Sequence, residues 1–375
     1  MSIRLLIFSL LITATSAYSQ QEEKSTEISA LPKSIDSSKV LYKNKLLIFP
    51  IVALATETSW VFGVANAYIF KTSKKDSTLR TSTVPSGILY TLKDQVLIAL
   101  GANIFLPKEK YIIRFENSFS KFPDKFWGLG NETPEDAEEP YTFTQFYINP
   151  AVSRKVARNL FFGFGMEYQN VFNIKYEPGG NFETDEVVGI YNKEDYSVFG
   201  LSALLTYDSR NHAYTPNKGT LFRVKFSNFN SNFASDYSFR SFDVDYRKFF
   251  QIKPRYHFAF QYYGLFSFGE VPYRNLAILG GSQMMRGYYA GRYRDKMFMG
   301  LQGEFRFPIY WRFGGAAFAS AGQVAGETSF NINTVHYAAG AGLRFSVLPR
   351  ENLNLRFDVA FGDKVNYYVV LAESF

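Results

Sequence analysis

The chain has 375 residues, a formal net charge of +7 and no cysteine, which excludes disulfides, thiolate metal sites and a lipid anchor on a cysteine. Beyond the N-terminus no segment offers the roughly 18 consecutive apolar residues of a transmembrane helix. Basic residues alternate along segments instead of clustering, which argues against nucleic acid as a partner.

Residues 1–4 give a short positive start, 5–12 an apolar run and 13–20 a small-residue region, with Ala17 and Ser19 fitting a cleavage site. This pattern predicts a secretory signal peptide over 1–19. Residues 20–44 are polar, rich in Lys, Glu and Ser, and are expected to form a flexible periplasmic leader.

From Lys45 the chain resolves into segments of about ten residues separated by turn chemistry. Strands are predicted near 45–54 and 59–70, and two more flank Lys93 and Asp94. The turn at 107–110 opens a fifth, where Tyr111, Ile113 and Phe115 oppose Arg114 and Glu116. A long loop is expected over 121–140, two strands around 157–159, and a second long loop over 175–194. The eighth strand ends at Tyr207 and Asp208, and the ninth sets Phe222, Val224 and Phe226 against Arg223 and Lys225. The tenth opposes Phe242, Val244 and Tyr246 to Asp243, Asp245 and Arg247, and the eleventh runs near 256–268.

A long loop follows, GGSQMMRGYYAGRYRD, with Arg286, Gly287 and Tyr288 at its tip. The twelfth strand places Met297, Met299, Leu301, Phe305 and Phe307 on one face and Gln302, Glu304 and Arg306 on the other. A thirteenth follows Arg312, and the fourteenth opposes Val335, Tyr337, Leu343 and Phe345 to His336 and Arg344. The fifteenth alternates most cleanly, with Leu353, Leu355, Phe357, Val359 and Phe361 against Asn354, Arg356 and Asp358. The sixteenth covers 366–375.

The expected fold over 45–375 is therefore all-β, a transmembrane antiparallel β-barrel of about 16 strands. The 39 Phe and 26 Tyr agree, because such a barrel shows every second side chain to lipid and has aromatic girdles at both interfaces. With both ends periplasmic, the short turns at 107–110, 157–159, 252–255 and 348–352 fall on one side and the long loops on the other. An open sheet edge is too costly in lipid, so the first strand must meet the sixteenth.

The Arg-Gly-Tyr loop beside so regular a strand resembles the BamA/TamA-type superfamily of outer-membrane barrels, the bacterial surface antigen family. A second resemblance lies in Asp208-Ser209-Arg210-Asn211 followed by Pro216 and Gly219, which also reads as a periplasmic hairpin fixed by Pro and Gly. Phe126-Trp127-Gly128-Leu129-Gly130-Asn131 resembles a loop motif of the same barrels. The resemblance implies that the loop folds into the barrel and that Arg286 pairs with Glu304 and with an Asp in a Phe-x-Asp-x-Gly pattern. Here that pattern reads Phe318-Ala319-Ser320-Ala321-Gly322, so Ser320 replaces the Asp. Either Glu304 holds the loop, alone or helped by Asp358, or the loop is more mobile than in relatives; an unpaired buried guanidinium is expensive. Tyr367, Val369, Leu371 and Phe375 resemble an outer-membrane sorting signal, which Glu373 interrupts.

No catalytic, metal or cofactor site is expected. His212, His257 and His336 are far apart in sequence, and no nucleophile motif accompanies them. Glu132, Asp136, Glu138 and Glu139 lack EF-hand spacing and read as a solvated loop. The resemblance covers only the barrel half of a typical member, since 20–44 is too short for a POTRA module. It implies insertion or translocation of proteins at the outer membrane through the seam between the first and last strands. Unfolded outer-membrane proteins would be the clients, with a periplasmic partner in place of POTRA modules and lipid and lipopolysaccharide around the barrel. Two further readings stay open. One is a channel whose selectivity is set by Arg114, Glu116, Arg223, Asp243, Arg247, Arg344 and Arg356; the other is a structural scaffold.

Overall fold

The computed structural model describes residues 44–55, 59–73, 75–76, 79–184, 195–211, 216–326, 330–348 and 353–371. The predicted signal peptide, the leader up to residue 43 and Phe375 lie outside the described residues.

The first eight strands are β1 (Lys45–Ala55), β2 (Ser59–Phe70), β3 (Ser82–Thr91), β4 (Val96–Phe105), β5 (Tyr111–Phe126), β6 (Glu139–Ala157), β7 (Leu160–Tyr176) and β8 (Tyr196–Asp208). Then come β9 (Gly219–Phe229), β10 (Phe239–Lys253), β11 (Tyr256–Gly269), β12 (Ala277–Leu279), β13 (Tyr293–Asp295) and β14 (Met297–Tyr310). The last four are β15 (Phe313–Ala325), β16 (His336–Leu348), β17 (Leu353–Phe361) and β18 (Val365–Leu371). Among the described residues sixteen antiparallel strands close into a barrel, and β12 and β13 form a two-stranded sheet of their own. That small sheet belongs to the Arg-Gly-Tyr loop, and its three-residue strands give too short a pattern to read from sequence.

Alternation builds the wall. On β17, Arg356, Asp358 and Ala360 are buried while Leu355 and Phe357 face outward. On β14, Gln302 and Glu304 point inward and Leu301 outward. Ile48, Phe164, Leu201 and Leu343 join the same outer apolar surface, the band a bilayer requires.

The first long loop is shorter than the sequence suggests. β5 continues to Phe126 and β6 begins at Glu139, so the first loop covers 127–138 rather than 121–140. Pro123 and Asp124 look like turn residues, but Phe122, Asp124 and Phe126 alternate inward and are buried. They meet Tyr141, Phe143, Phe182 and Tyr273 in an aromatic core inside the barrel. Phe126 and Tyr273 pack edge-on at 5.5 Å, and Tyr141 stacks on Phe182 at 5.0 Å.

The turns at 106–110, 158–159, 254–255 and 311–312 share an end with the start of β1, and the loops 127–138, 177–195 and 270–296 lie at the opposite end. The separation is less clean than expected. The end where β1 starts also holds the longer connections 71–81 and 209–218, and the far end holds the short turns 92–95 and 362–364. At the end where β1 starts, Arg80 reaches from the β2–β3 connection to Glu109, with Nε to Oε1 at 2.7 Å, and to Asp208 on β8 at 3.4 Å. Its guanidinium lies 4.4 Å from the centre of the Phe105 ring. Arg80 thus links the β2–β3 connection to the β4–β5 turn and to the end of β8.

Candidate functional site

The loop 270–296 is drawn into the barrel, and Arg286 at its tip is 1% exposed. Its guanidinium forks between two strands. Nη2 donates to Glu304 Oε2 of β14 at 2.7 Å, and Nη1 donates to Asp358 Oδ2 of β17 at 2.7 Å. The cation also lies 3.4 Å from the centre of the Phe318 ring. Arg306 donates to Glu304 Oε1 at 2.7 Å, and Arg344 reaches Asp358 Oδ1 at 2.5 Å and Glu304 Oε1 at 3.5 Å. Arg356 approaches Asp358 at 3.4 Å and donates to the Ser282 carbonyl at 3.1 Å.

Asp358 therefore supplies the second carboxylate, from a strand different from the one the resemblance points to. Ser320 sits on β15 in register with Gln302 and Ala338, and its neighbour Phe318 is the β15 residue that touches Arg286. Breaking a buried pair by removing one partner costs about 3–5 kcal/mol, whereas the intact pair adds little stability over an apolar replacement. The arrangement thus fixes the loop's position more than it stabilises the barrel.

The other two tip residues face the closing strands. Tyr288 donates through its hydroxyl to the Tyr337 carbonyl at 3.0 Å. The Gly287 N–H donates to the Tyr368 hydroxyl at 3.2 Å, and the Gly287 carbonyl accepts from Asn366 Nδ2 at 2.6 Å.

A second anchor escaped the sequence reading. Asp124 of β5 accepts from Arg274 Nη1 at 2.8 Å, from Tyr141 at 2.9 Å and from Tyr289 at 3.1 Å, with Arg294 at 4.0 Å. Its signal was the alternation Phe122, Asp124, Phe126, hidden by the loop reading of 121–140. The loop is thus held at its tip by Glu304 and Asp358 and at its base by Asp124.

The Phe126–Asn131 motif lies over this loop. Trp127 packs on Tyr289 at 5.3 Å, Gly130 N–H donates to the Arg294 carbonyl at 2.9 Å, and Asn131 Oδ1 accepts from Val324 N–H at 2.8 Å. His336 stacks on Tyr293 at 3.9 Å and places Nε2 3.1 Å from the Asn131 carbonyl, a packing role at the loop. In the acidic loop, Glu138 pairs with Lys125 and Glu135 with Lys364.

The turn motif lies at the end of the barrel where β1 starts. Asp208 accepts from Arg210 Nε at 2.9 Å and Nη2 at 3.0 Å. Gly219 has φ +104°, and a Cβ there would sit 2.3 Å from the Ser209 carbonyl oxygen, so glycine is required. Pro216 is buried, and residues 212–215, including His212, lie outside the described residues.

Of the sorting-signal residues, Tyr367 faces outward, Val369 lies in register with Leu54 of β1, and Leu371 ends β18. The seam is short. Among the described residues, Leu54 and Val369 are the register partners of β1 and β18, whereas β1 pairs with β2 along its full length. In that register Leu371 lies opposite Val52, so the stretch 45–51 of β1 extends past the described end of β18.

Among solved structures, the fold is similar to BamA from Haemophilus ducreyi lacking POTRA domains 1–3, with a TM-score of 0.60 at 12% identity over 88% of this chain and 70% of that one. It is also similar to CdiB from Acinetobacter baumannii, with a TM-score of 0.56 at 11% identity over 88% of this chain and 60% of that one. CdiB from Escherichia coli gives a TM-score of 0.60 at 11% identity, over 87% of this chain and 63% of that one. No curated protein sequence matches the chain significantly. The Omp85 superfamily domain matches residues 71–369, most of the barrel from the β2–β3 connection into β18. The chain belongs to the Omp85 superfamily and forms a β-barrel of the outer-membrane type.

Proposed function

We propose that this barrel aids insertion or translocation of other polypeptides at the bacterial outer membrane by opening between β1 and β18. The observation that carries the reading is the seam itself. Among the described residues β1 and β18 meet at Leu54 and Val369, while the other neighbouring strand pairs around the barrel have ladders of several residues. Where β1 and β18 separate, the backbone edge exposed at membrane depth is costly and favours an incoming strand that completes the ladder. Clients by this reading are unfolded chains with strand-forming segments, acting in contact with outer-membrane lipid and lipopolysaccharide, and a periplasmic partner delivers them. The reading assigns the barrel no enzymatic step.

The superfamily match supports it, and the lumen weakens the channel alternative. The loop 270–296 fills the upper lumen, while Arg223, Arg247 and Lys225 are ion-paired within the lumen. Arg223 and Arg247 both bind Asp245, at 3.0 and 2.8 Å, and Lys225 binds Glu167 at 2.5 Å. The scaffold reading makes the opposite prediction about the seam.

The test is a disulfide between Leu54→Cys and Val369→Cys, in a chain that has no other cysteine. Under oxidation the locked barrel is expected to lose its support of outer-membrane protein assembly in cells, while the single-cysteine controls and the reduced form keep it. Full activity of a locked, folded barrel overturns the reading and favours a scaffold.

A further inference from the structure

We propose that Asn366 and Tyr368 are positioning residues that hold the closing strand from inside the barrel, through the backbone of Gly287. The inference rests on the seam reading above but concerns a different contact. β18 has a ladder with β17 on one side and, among the described residues, meets β1 at Leu54 and Val369 on the other. A further attachment comes from the lumen. Asn366 is 3% exposed and Tyr368 fully buried, and together they bind both backbone polar groups of one residue, the Gly287 carbonyl at 2.6 Å and its N–H at 3.2 Å.

Glycine is needed at this point for two separate reasons. Its φ is +115°, and a Cβ would meet Gly362 N at 2.8 Å and the Phe361 carbonyl carbon at 2.8 Å. Gly362 is matched to it, since a Cβ there would lie 2.6 Å from the Gly287 oxygen. The turn between β17 and β18 and the loop tip are therefore in backbone contact, a fit that no side chain could replace.

The latch is continuous with the buried ion cluster. Tyr368 packs in one apolar cluster with Phe318, whose ring lies under the Arg286 guanidinium. Arg286 ties β14 to β17, and Gly287 ties the loop to β18. Movement of β18 away from the barrel axis must break the two Gly287 hydrogen bonds or pull the loop with it. The loop thus sets how readily the seam edge moves.

The test separates the latch from general barrel stability. Tyr368→Phe keeps the ring and removes the hydroxyl that Gly287 uses, and Asn366→Ala removes the second contact. Nitroxide labels at Val52→Cys and Tyr367→Cys, both outward-facing, report the width of the seam as a distance distribution. Labels at the register partners Leu343→Cys and Phe357→Cys report the β16–β17 contact as a control. In the combined Tyr368→Phe and Asn366→Ala protein, the wide-seam population should rise roughly tenfold, the factor expected from two modest hydrogen bonds, while the control pair keeps its distribution. Gly287→Ala should widen the seam in the same way, by displacing the loop from Gly362. Heat-modifiable migration shows that each variant has folded. An unchanged seam distribution in both backgrounds overturns the proposal, and so does equal broadening at the control pair, which assigns the contacts to barrel stability alone. Because the readout is distance, the latch can stand even if the disulfide-locked barrel proves fully active and the functional reading fails.

Discussion

At the scale of single residues, the tip of the loop shows which interaction has a substitute and which has none. Arg286 requires two carboxylates, and the superfamily pattern offers one where this chain has Ser320. Asp358 takes that place because β17 presents it inward two positions before Ala360, within 2.7 Å of the guanidinium. Asp358→Asn should lower unfolding stability by about 3–5 kcal/mol, the cost of removing one partner from a buried pair, measured by denaturant titration in detergent micelles. Ser320 lies on the lumen side of β15 beside Phe318, so Ser320→Asp added to Asp358→Asn should recover part of that loss. If the double variant is no more stable than the single one, the two positions are not interchangeable. The turn motif gives a purely steric case. At Gly219 a Cβ collides with the Ser209 carbonyl at φ +104°, so Gly219→Ala should cost roughly 1–3 kcal/mol, measured by the same titration.

At the scale of elements, strands were legible where alternation was strong and hidden where the lumen was apolar. β14 and β17 could be read directly because charged inward positions alternate with apolar outward ones. The upper half of β5 could not, since its inward face carries Phe122 and Phe126 and its middle carries Pro123 and Asp124. An apolar residue facing an aromatic core inside the barrel looks, in sequence, the same as one facing lipid. The same ambiguity concealed Asp124, whose carboxylate gathers Arg274, Tyr141 and Tyr289 at the base of the loop. The tip residues were legible through the superfamily resemblance, but the hydrogen bonds of Gly287 to β18 depend on side chains 79 and 81 positions away and no local pattern encodes them. Asp124→Asn should free the base of the loop while the Arg286 contacts persist. Limited proteolysis is expected to cut within 127–138 or 270–296 several times faster than in the unaltered protein. Equal cleavage rates would show that the aromatic core alone holds the base.

For the whole molecule, the inserted loop and the Arg80 cluster lie in series along the lumen, and that arrangement determines what conductance measurements can reveal. The upper lumen is filled by the loop fixed through Arg286 and Asp124, and at the opposite end Arg80 is paired with Glu109 and Asp208. Resistances in series add, so opening either end leaves the other in control of ion flow. In planar bilayers the unaltered barrel should show little steady current. Arg80→Ala should remain closed because the loop still fills the lumen, and Arg286→Ala should give at most brief openings because the Arg80 cluster stays paired at the opposite end. The double variant should conduct at a level well above the sum of the two single variants. A large steady current through the unaltered barrel would mean that ions have a path around both the loop and the Arg80 cluster, and would return the charged lumen of Arg114, Glu116, Arg223 and Asp243 to the role of a selectivity filter. More-than-additive conductance in the double variant would instead leave the wall of the barrel, at β1 and β18, as the route by which a chain leaves the lumen.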